Sequence, residues 1–279
     1  MTFEAVSYES IPHALISGIA ISLLCSVVGL FLVLRKFSLF GDALAHSAFG
    51  GVAFGLFIGI YPLWIACAVA ILSALGLSKI RQKFDISGDA IVAILLSTGL
   101  GAGVILVSLT EDFEFHDIEE FLFGSAIVDT QNVIAILAMA GIILTILFFT
   151  YKKILYSTFS EEQAKASGIP VEKMSYLLIT MAGVTVVISM QLVGVLLISA
   201  LFVLPNVSAM LYARSFKQTV ILSMSFAVFA TVSGIIMSYQ FEIAQAGCIV
   251  LVAAAIFVGS LVAKGSGLVK TAGILAKRA

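Results

Sequence analysis

Long apolar segments, separated by short polar ones, recur along nearly the whole chain. Each approaches the roughly 20 residues that a helix needs to cross a hydrocarbon core about 30 Å thick. Backbone groups in lipid must be satisfied within the spanning segment, so apolar runs of this length predict helices rather than barrel strands. We therefore predict an all-α fold, a transmembrane helical bundle of about nine spans. The predicted spans lie at residues 12–34, 41–60, 62–80, 88–109, 130–150, 174–190, 192–212, 216–238 and 244–263.

The apolar stretch from residue 174 to 213 fits either one very long helix or two short ones. Both flanking segments, 165–173 and 214–217, are basic. Basic loops stay on the cytoplasmic side, so the chain should cross the membrane twice here and return to the same face. We predict a tight hairpin near Gln191. The pattern alone does not distinguish two full spans from a span followed by a re-entrant segment.

Composition and charge extend this interpretation to the whole chain. Hydrophobic residues make up 61% of the sequence and charged residues only 11%, which excludes an ordinary soluble domain. We predict a single membrane domain over residues 1–279, in the cell membrane and multi-pass. The net charge of -1 conceals a segregation, because every Lys and Arg cluster falls on one side of the predicted spans. That side is the cytoplasm, which leaves the N-terminus outside and the C-terminus inside.

Two hydrophilic segments between the spans are long enough to carry function. The segment 110–129 is rich in acidic residues and is predicted to face outside. The segment 151–173 is cytoplasmic and contains the sequence FSEEQAKASGIP.

The cytoplasmic segment has the signals of a short capped helix. Ser160 suits the N-cap, Glu161 suits the first turn, and Gly168 followed by Pro170 provides a stop. Ala164 is expected on the buried side of this helix. The helix is either a mere connector or a docking element for a soluble partner, and both interpretations stay open on these residues.

Ionisable groups inside predicted spans are few, and the pair Asp42 and His46 is the most informative. The two residues stand four apart, so they share one face of a helix and both can reach one cation. A carboxylate oxygen with an imidazole nitrogen suits a borderline divalent metal. Gly50 and Gly51 extend the same helix with small residues that allow another helix to approach closely. In the alternative interpretation Asp42 caps the helix end and His46 hydrogen-bonds to it.

The chain resembles the ABC-3 family of permeases, the membrane subunits of bacterial and archaeal ABC importers for zinc, manganese or iron. The resemblance covers almost the whole chain. It is carried by FLVLRKFSLFGDALAHSAFGGVAFG, FLFGSAI, FSEEQAKASGIPV and LVGVLLISALFVLPNVSAML.

The resemblance implies a permease for divalent metal ions, zinc or manganese above all, with Asp42 and His46 on the metal pathway. It implies that residues 157–170, with Ser160, Glu161, Ala164 and Gly168, form the coupling helix that inserts into an ATPase subunit.

The chain carries no G-x-x-x-x-G-K-[ST] phosphate loop that could cradle ATP, so we do not expect it to be an enzyme. The resemblance supplies the missing parts: separate cytoplasmic ATPase subunits, an extracellular metal-binding protein, and a second permease chain, expected to be a second copy. We expect no nucleic-acid partner and no permanently bound cofactor, the metal ion being transported substrate.

Two departures from the family pattern bear on metal selectivity. Family members commonly carry D-x-P-x-G before the last span, where this chain has Glu242 and Ala244. Small residues usually follow the proline of the seventh span, where this chain has Asn206 after Pro205. Asn206 is either a substitute ligand or, the interpretation we favour, a polar packing contact. Glu242 is expected to be a solvated turn residue.

Three other classes compete with this interpretation. An intramembrane aspartyl protease would use the acids Asp42 and Asp89, but Leu39 and Ile86 occupy the first glycine positions of the usual G-x-G-D pattern. A secondary metal transporter can also place an acid and a histidine midway across the bilayer. An ABC permease for a metal chelate, such as a siderophore or cobalamin, would share the general architecture.

Overall fold

The computed structural model describes residues 10–84, 88–109, 121–124, 130–195 and 198–265. Within these ranges the chain is helical and has no strand, which confirms the predicted all-α class. The helices are α1 (Ser10–Leu34), α2 (Phe40–Phe57), α3 (Pro62–Phe84), α4 (Gly88–Leu109), α5 (Thr130–Phe159), α6 (Glu161–Ala166), α7 (Val171–Val193), α8 (Ile198–Tyr212), α9 (Phe216–Phe241) and α10 (Gln245–Gly265).

Six of the described helices are long and apolar enough to cross a membrane: α1, α4, α5, α7, α9 and α10. This number is smaller than the predicted nine for identifiable reasons. Helix α2 contains the polar residues Asp42 and His46, the apolar part of α3 is limited to Pro62–Gly76, and α8 has only 15 residues.

Close to the position of the hairpin predicted near Gln191, the structure has a break between α7 and α8. Gln191 still belongs to α7, which ends at Val193, and the chain turns at Gly194 with a φ of +74°. A positive φ favours glycine because it has no Cβ. Gly124 also has a positive φ, +82°, and the two glycines meet, since a Cβ on either would overlap the backbone around the other. The turn is therefore set by a distant segment as well as by local sequence.

Helices α1 and α7 form the centre of the bundle. In both, 72% of the most apolar stretch is buried, compared with 17% in α4 and 28% in α5. The Cys25 thiol of α1 lies 3.2 Å from the Ser189 hydroxyl of α7. The peripheral helices expose large apolar side chains such as Phe149, as expected for surfaces that face lipid.

Candidate metal pathway

Glycines bring α2 into backbone contact with both of its main neighbours. A Cβ at Gly50 would lie 2.9 Å from the carbonyl oxygen of Gly99 on α4, and one at Gly51 would lie 2.8 Å from the Cα of Ala66 on α3. The contact with α4 is reciprocal, since a Cβ at Gly99 would lie 2.7 Å from the carbonyl oxygen of His46. The close approach predicted from the glycines of α2 is therefore confirmed.

The partner residue Gly99 was missed by the sequence reasoning. Gly99 and Gly103 form a small-x-x-x-small pattern on α4, which is the usual signal for close helix packing in membranes. A Cβ at Gly103 would lie 2.7 Å from the ring of Phe49. Helix α4 therefore holds the segment of α2 that carries His46.

Asp42 and His46 are only partly buried within an otherwise buried stretch of α2. Every residue from Phe40 to Ala53 is buried except these two, which are half-buried. The Nδ1 atom of His46 is buried and has no hydrogen-bond partner. A buried polar atom without a partner costs stability and often marks a functional role. Among the described residues, nothing satisfies this nitrogen of His46.

Asp42 is not the N-cap residue of α2, as the capping interpretation in its strict form requires. Leu39 occupies the N-cap position of α2, and no side chain makes a capping hydrogen bond there. Asp42 stands in the first turn, where its charge interacts favourably with the helix dipole. The unpartnered Nδ1 of His46 also shows that this nitrogen does not bond to Asp42.

Two side chains do not complete a metal site. Among the described residues there is no group of three or more His, Cys, Asp or Glu side chains that could hold a metal ion. The acidic segment 110–129 lies outside the described residues except for 121–124. A cation held by Asp42 and His46 would need further ligands from water, backbone or another chain.

Helix α8 borders the start of α2, and its Asn206 is a packing residue. A Cβ at Gly41 would lie 3.6 Å from the ring of Phe202 on α8. Asn206 is completely buried, its Nδ2 donates to the carbonyl oxygen of Phe202 at 2.7 Å, and its Oδ1 accepts from the Ser223 hydroxyl. The Ser223 hydroxyl lies 2.8 Å from that of Ser26 on α1. Both ends of the Asn206 amide are therefore engaged, as the favoured interpretation expected.

Glu242 is placed away from this region. It follows α9 with a left-handed φ of +53° and is exposed. It is a turn residue, as expected from the sequence.

The cytoplasmic segment forms the short capped helix that its sequence predicts. The Ser160 hydroxyl accepts a hydrogen bond from the backbone N–H of Gln163 at 3.3 Å. At the other end Gly168 has a φ of +76°, and its N–H and that of Ile169 donate to the carbonyl oxygens of Lys165 and of Ala164, respectively, each at 3.0 Å. This double hydrogen bond is the Schellman motif, which satisfies the free carbonyl groups of a helix end.

The burial of Ala164 determines whether this residue can contact a partner. Ala164 is completely buried against the protein itself, whereas Glu161, Lys165 and Gly168 are exposed. Ala164 therefore anchors α6 to the bundle and cannot be on the surface of α6 that a partner touches.

A multi-pass membrane protein is the class that this fold defines, because six of the described helices are long and apolar enough to cross a membrane. A profile of the ABC 3 transport family matches residues 7–264. The chain is 30% identical to the "High-affinity zinc uptake system membrane protein ZnuB" of Haemophilus influenzae, covering 91% of this chain and 97% of that protein. It is 32% identical to the "Manganese import system permease protein ScaB" of Streptococcus gordonii, covering 91% of each.

A solved structure agrees with these relatives. The chain is similar to a chain of "PsaBC from Streptococcus pneumoniae in complex with Fab", with a TM-score of 0.82, 32% identity and 91% of each chain covered. The protein belongs to the ABC 3 transport family. It is a multi-pass membrane component of a transporter, as the resemblance implied.

Proposed function

We propose that this chain is the membrane-spanning permease of an ATP-driven importer of divalent metal ions, with manganese or zinc as cargo. The observation that carries the proposal is the Asp42 and His46 pair, half-buried on α2 with the imidazole Nδ1 unpartnered. One oxygen and one nitrogen ligand suit both ions. The relatives named for zinc uptake and manganese import support the same cargo class.

A transported ion must be bound well enough to enter the pathway and weakly enough to leave it. The two ligands of one chain meet only the second condition, so the first needs further ligands. The partial exposure of Asp42 and His46 gives a place for a second copy of the chain. Two copies related by a two-fold axis would present two carboxylates and two imidazoles to one pathway, so we propose a homodimer.

The proposed topology has nine spans, with the N-terminus outside and the C-terminus inside. It adds α2, α3 and α8 to the six long apolar helices. The basic residues Lys79, Lys165, Arg214 and Lys264 then all lie on the cytoplasmic side. Helix α6 lies on this side as well.

We propose that α6 is the coupling helix that contacts a separate ATPase subunit, and that an extracellular metal-binding protein delivers the ion. The support for the docking role is a capped helix with Glu161, Glu162 and Lys165 exposed. We expect no nucleic-acid partner and no resident cofactor. Membership of an ABC family argues against a secondary transporter and an intramembrane protease.

The test is uptake of radioactive manganese or zinc in cells that lack other importers, normalised to permease in the membrane. Asp42→Asn removes the anionic ligand and His46→Ala removes the nitrogen ligand, so both should abolish uptake per molecule. Ser47→Ala is the matched control, because the Ser47 hydroxyl bonds to Ser73 at 2.6 Å, and it should retain uptake. Near-normal uptake per molecule in both site variants would refute the assignment. Competition by a metal chelate but not by the free ion would show that the cargo is the chelate.

A further inference from the structure

The Arg35 side chain joins three elements at the end of α1. Its Nε donates to the Thr158 hydroxyl at 3.1 Å, one Nη donates to the Ser157 hydroxyl at 2.9 Å, and the other donates to the Ser175 hydroxyl at 2.7 Å. Ser157 and Thr158 belong to the last turn of α5, and Ser175 belongs to the start of α7. A planar guanidinium holds such a set of acceptors in a fixed geometry.

Two of the three acceptors are oriented before the arginine binds them. The Ser157 and Thr158 hydroxyls donate to the carbonyl oxygen of Ile154, at 2.8 and 2.7 Å. Their hydrogens are thus committed, and their lone pairs are left for Arg35. We call Arg35 together with the hydroxyls of Ser157, Thr158 and Ser175 the arginine clamp.

The clamp connects the two helix ends that flank α6 to the turn before α2. Helix α6 is joined to the bundle through the end of α5 and the start of α7, the same two ends that Arg35 binds. On its other side Arg35 begins the short turn that leads into α2. This turn is closed by a bond of 2.9 Å from the Phe37 N–H to the carbonyl oxygen of Leu32 and by the contact of the Phe37 and Phe40 rings, whose centroids are 5.7 Å apart.

We propose that Arg35 is a positioning residue that transmits movement of α6 to α2 and so to the Asp42 and His46 pair. The inference rests on the proposed function, in which α6 contacts a separate ATPase subunit, and it adds that ATP hydrolysis there moves α6. A rigid connection is needed because α6 is short and α2 is not its neighbour in sequence. The arginine clamp and the closed turn supply this connection through hydrogen bonds and a ring contact rather than through a continuous helix.

The test uses the purified complex of permease and ATPase in proteoliposomes and measures metal ions imported per ATP hydrolysed. Arg35→Gln removes the positive charge and the planar guanidinium that donates to three hydroxyls. We expect it to lower this ratio by about 2- to 30-fold, the range of coupling changes for a residue between two sites. Arg35→Lys keeps the positive charge but not the planar guanidinium, and we expect a smaller loss of metal ions imported per ATP. Association with the ATPase and the rate of ATP hydrolysis should change little.

Lys36→Asn is the matched control. It removes a positive charge from the same turn, and asparagine tolerates the left-handed φ of +62° found at Lys36. It should leave the ratio unchanged. Ser157→Ala combined with Arg35→Gln should cost no more than Arg35→Gln alone, because both remove the same contact.

Two results would overturn the inference. The first is an unchanged ratio in Arg35→Gln, including the case of a parallel fall of import and hydrolysis, which would show a role in folding only. The second is an equal loss in Lys36→Asn. A wild-type complex that hydrolyses ATP but imports neither manganese nor zinc would instead refute the proposed function, and with it this inference.

Discussion

Replacing Gly99 with alanine should loosen the contact between α4 and the segment of α2 that carries His46. The added Cβ would lie 2.7 Å from the carbonyl oxygen of His46 and from the N and Cα of Ser47. These are backbone atoms, so no side-chain rotation can relieve the overlap and the helices must separate. Overpacking of this kind typically costs about 1–3 kcal/mol. We expect the upper half of this range, with reduced metal uptake per molecule because His46 moves.

Gly101→Ala is the matched control, since Gly101 lies on the same helix and its Cβ would meet nothing within 4 Å. Both variants share the gain in helix propensity of about 0.5–1 kcal/mol, so the difference between them isolates the overpacking. The unfolding free energy can be measured by titration with SDS in mixed micelles, followed by the fluorescence of Trp64, the single tryptophan. Equal stability of the two variants would refute the close contact of α2 with α4.

Three further outcomes test other parts of the structure. Asn206→Ala should lower the unfolding free energy by about 1–3 kcal/mol, because Ser223 loses its acceptor, yet leave uptake per molecule near normal; abolished uptake at normal abundance would make Asn206 a ligand. Ala164→Arg should lower membrane abundance because Ala164 is completely buried, whereas Lys165→Glu should keep abundance and weaken binding to the ATPase in a pull-down. A cysteine at Tyr61 should react with an impermeant thiol reagent only from outside and one at Lys165 only from inside, and labelling of both from one side would contradict the nine-span topology.

Local signals in the sequence were sufficient to predict that the apolar segments are helical and that α6 is a short capped helix. The predicted all-α class is confirmed because lipid allows only helices for apolar runs of this length. The caps at Ser160 and Gly168 depend on neighbours within a few residues. The pair of Asp42 and His46 was recognisable because helical spacing alone places both on one face.

Features that depend on distant contacts could not be found in this way. The capped sequence of α6 shows that a helix forms. It does not show that Ala164 faces the bundle and is therefore inaccessible to a partner. The turn at Gly194 is fixed by Gly124, and the partners of Arg35 are 122 to 140 residues away in the chain. Such pairings follow from how helices pack, which the periodicity of one segment does not encode.

The two departures from the family pattern do not alter the ligand set of the proposed metal pathway. Asn206 has both ends of its amide engaged in the core, and Glu242 is an exposed turn residue. On the proposed function, the described residues of each chain therefore still offer an ion one carboxylate from Asp42 and one imidazole from His46. Manganese and zinc accept both ligand types and differ in the number and geometry of ligands that they favour. On the proposed function, selectivity must then arise from how α4 and a second copy of the chain place these two side chains, which makes Gly99 as relevant to metal choice as the ligands themselves.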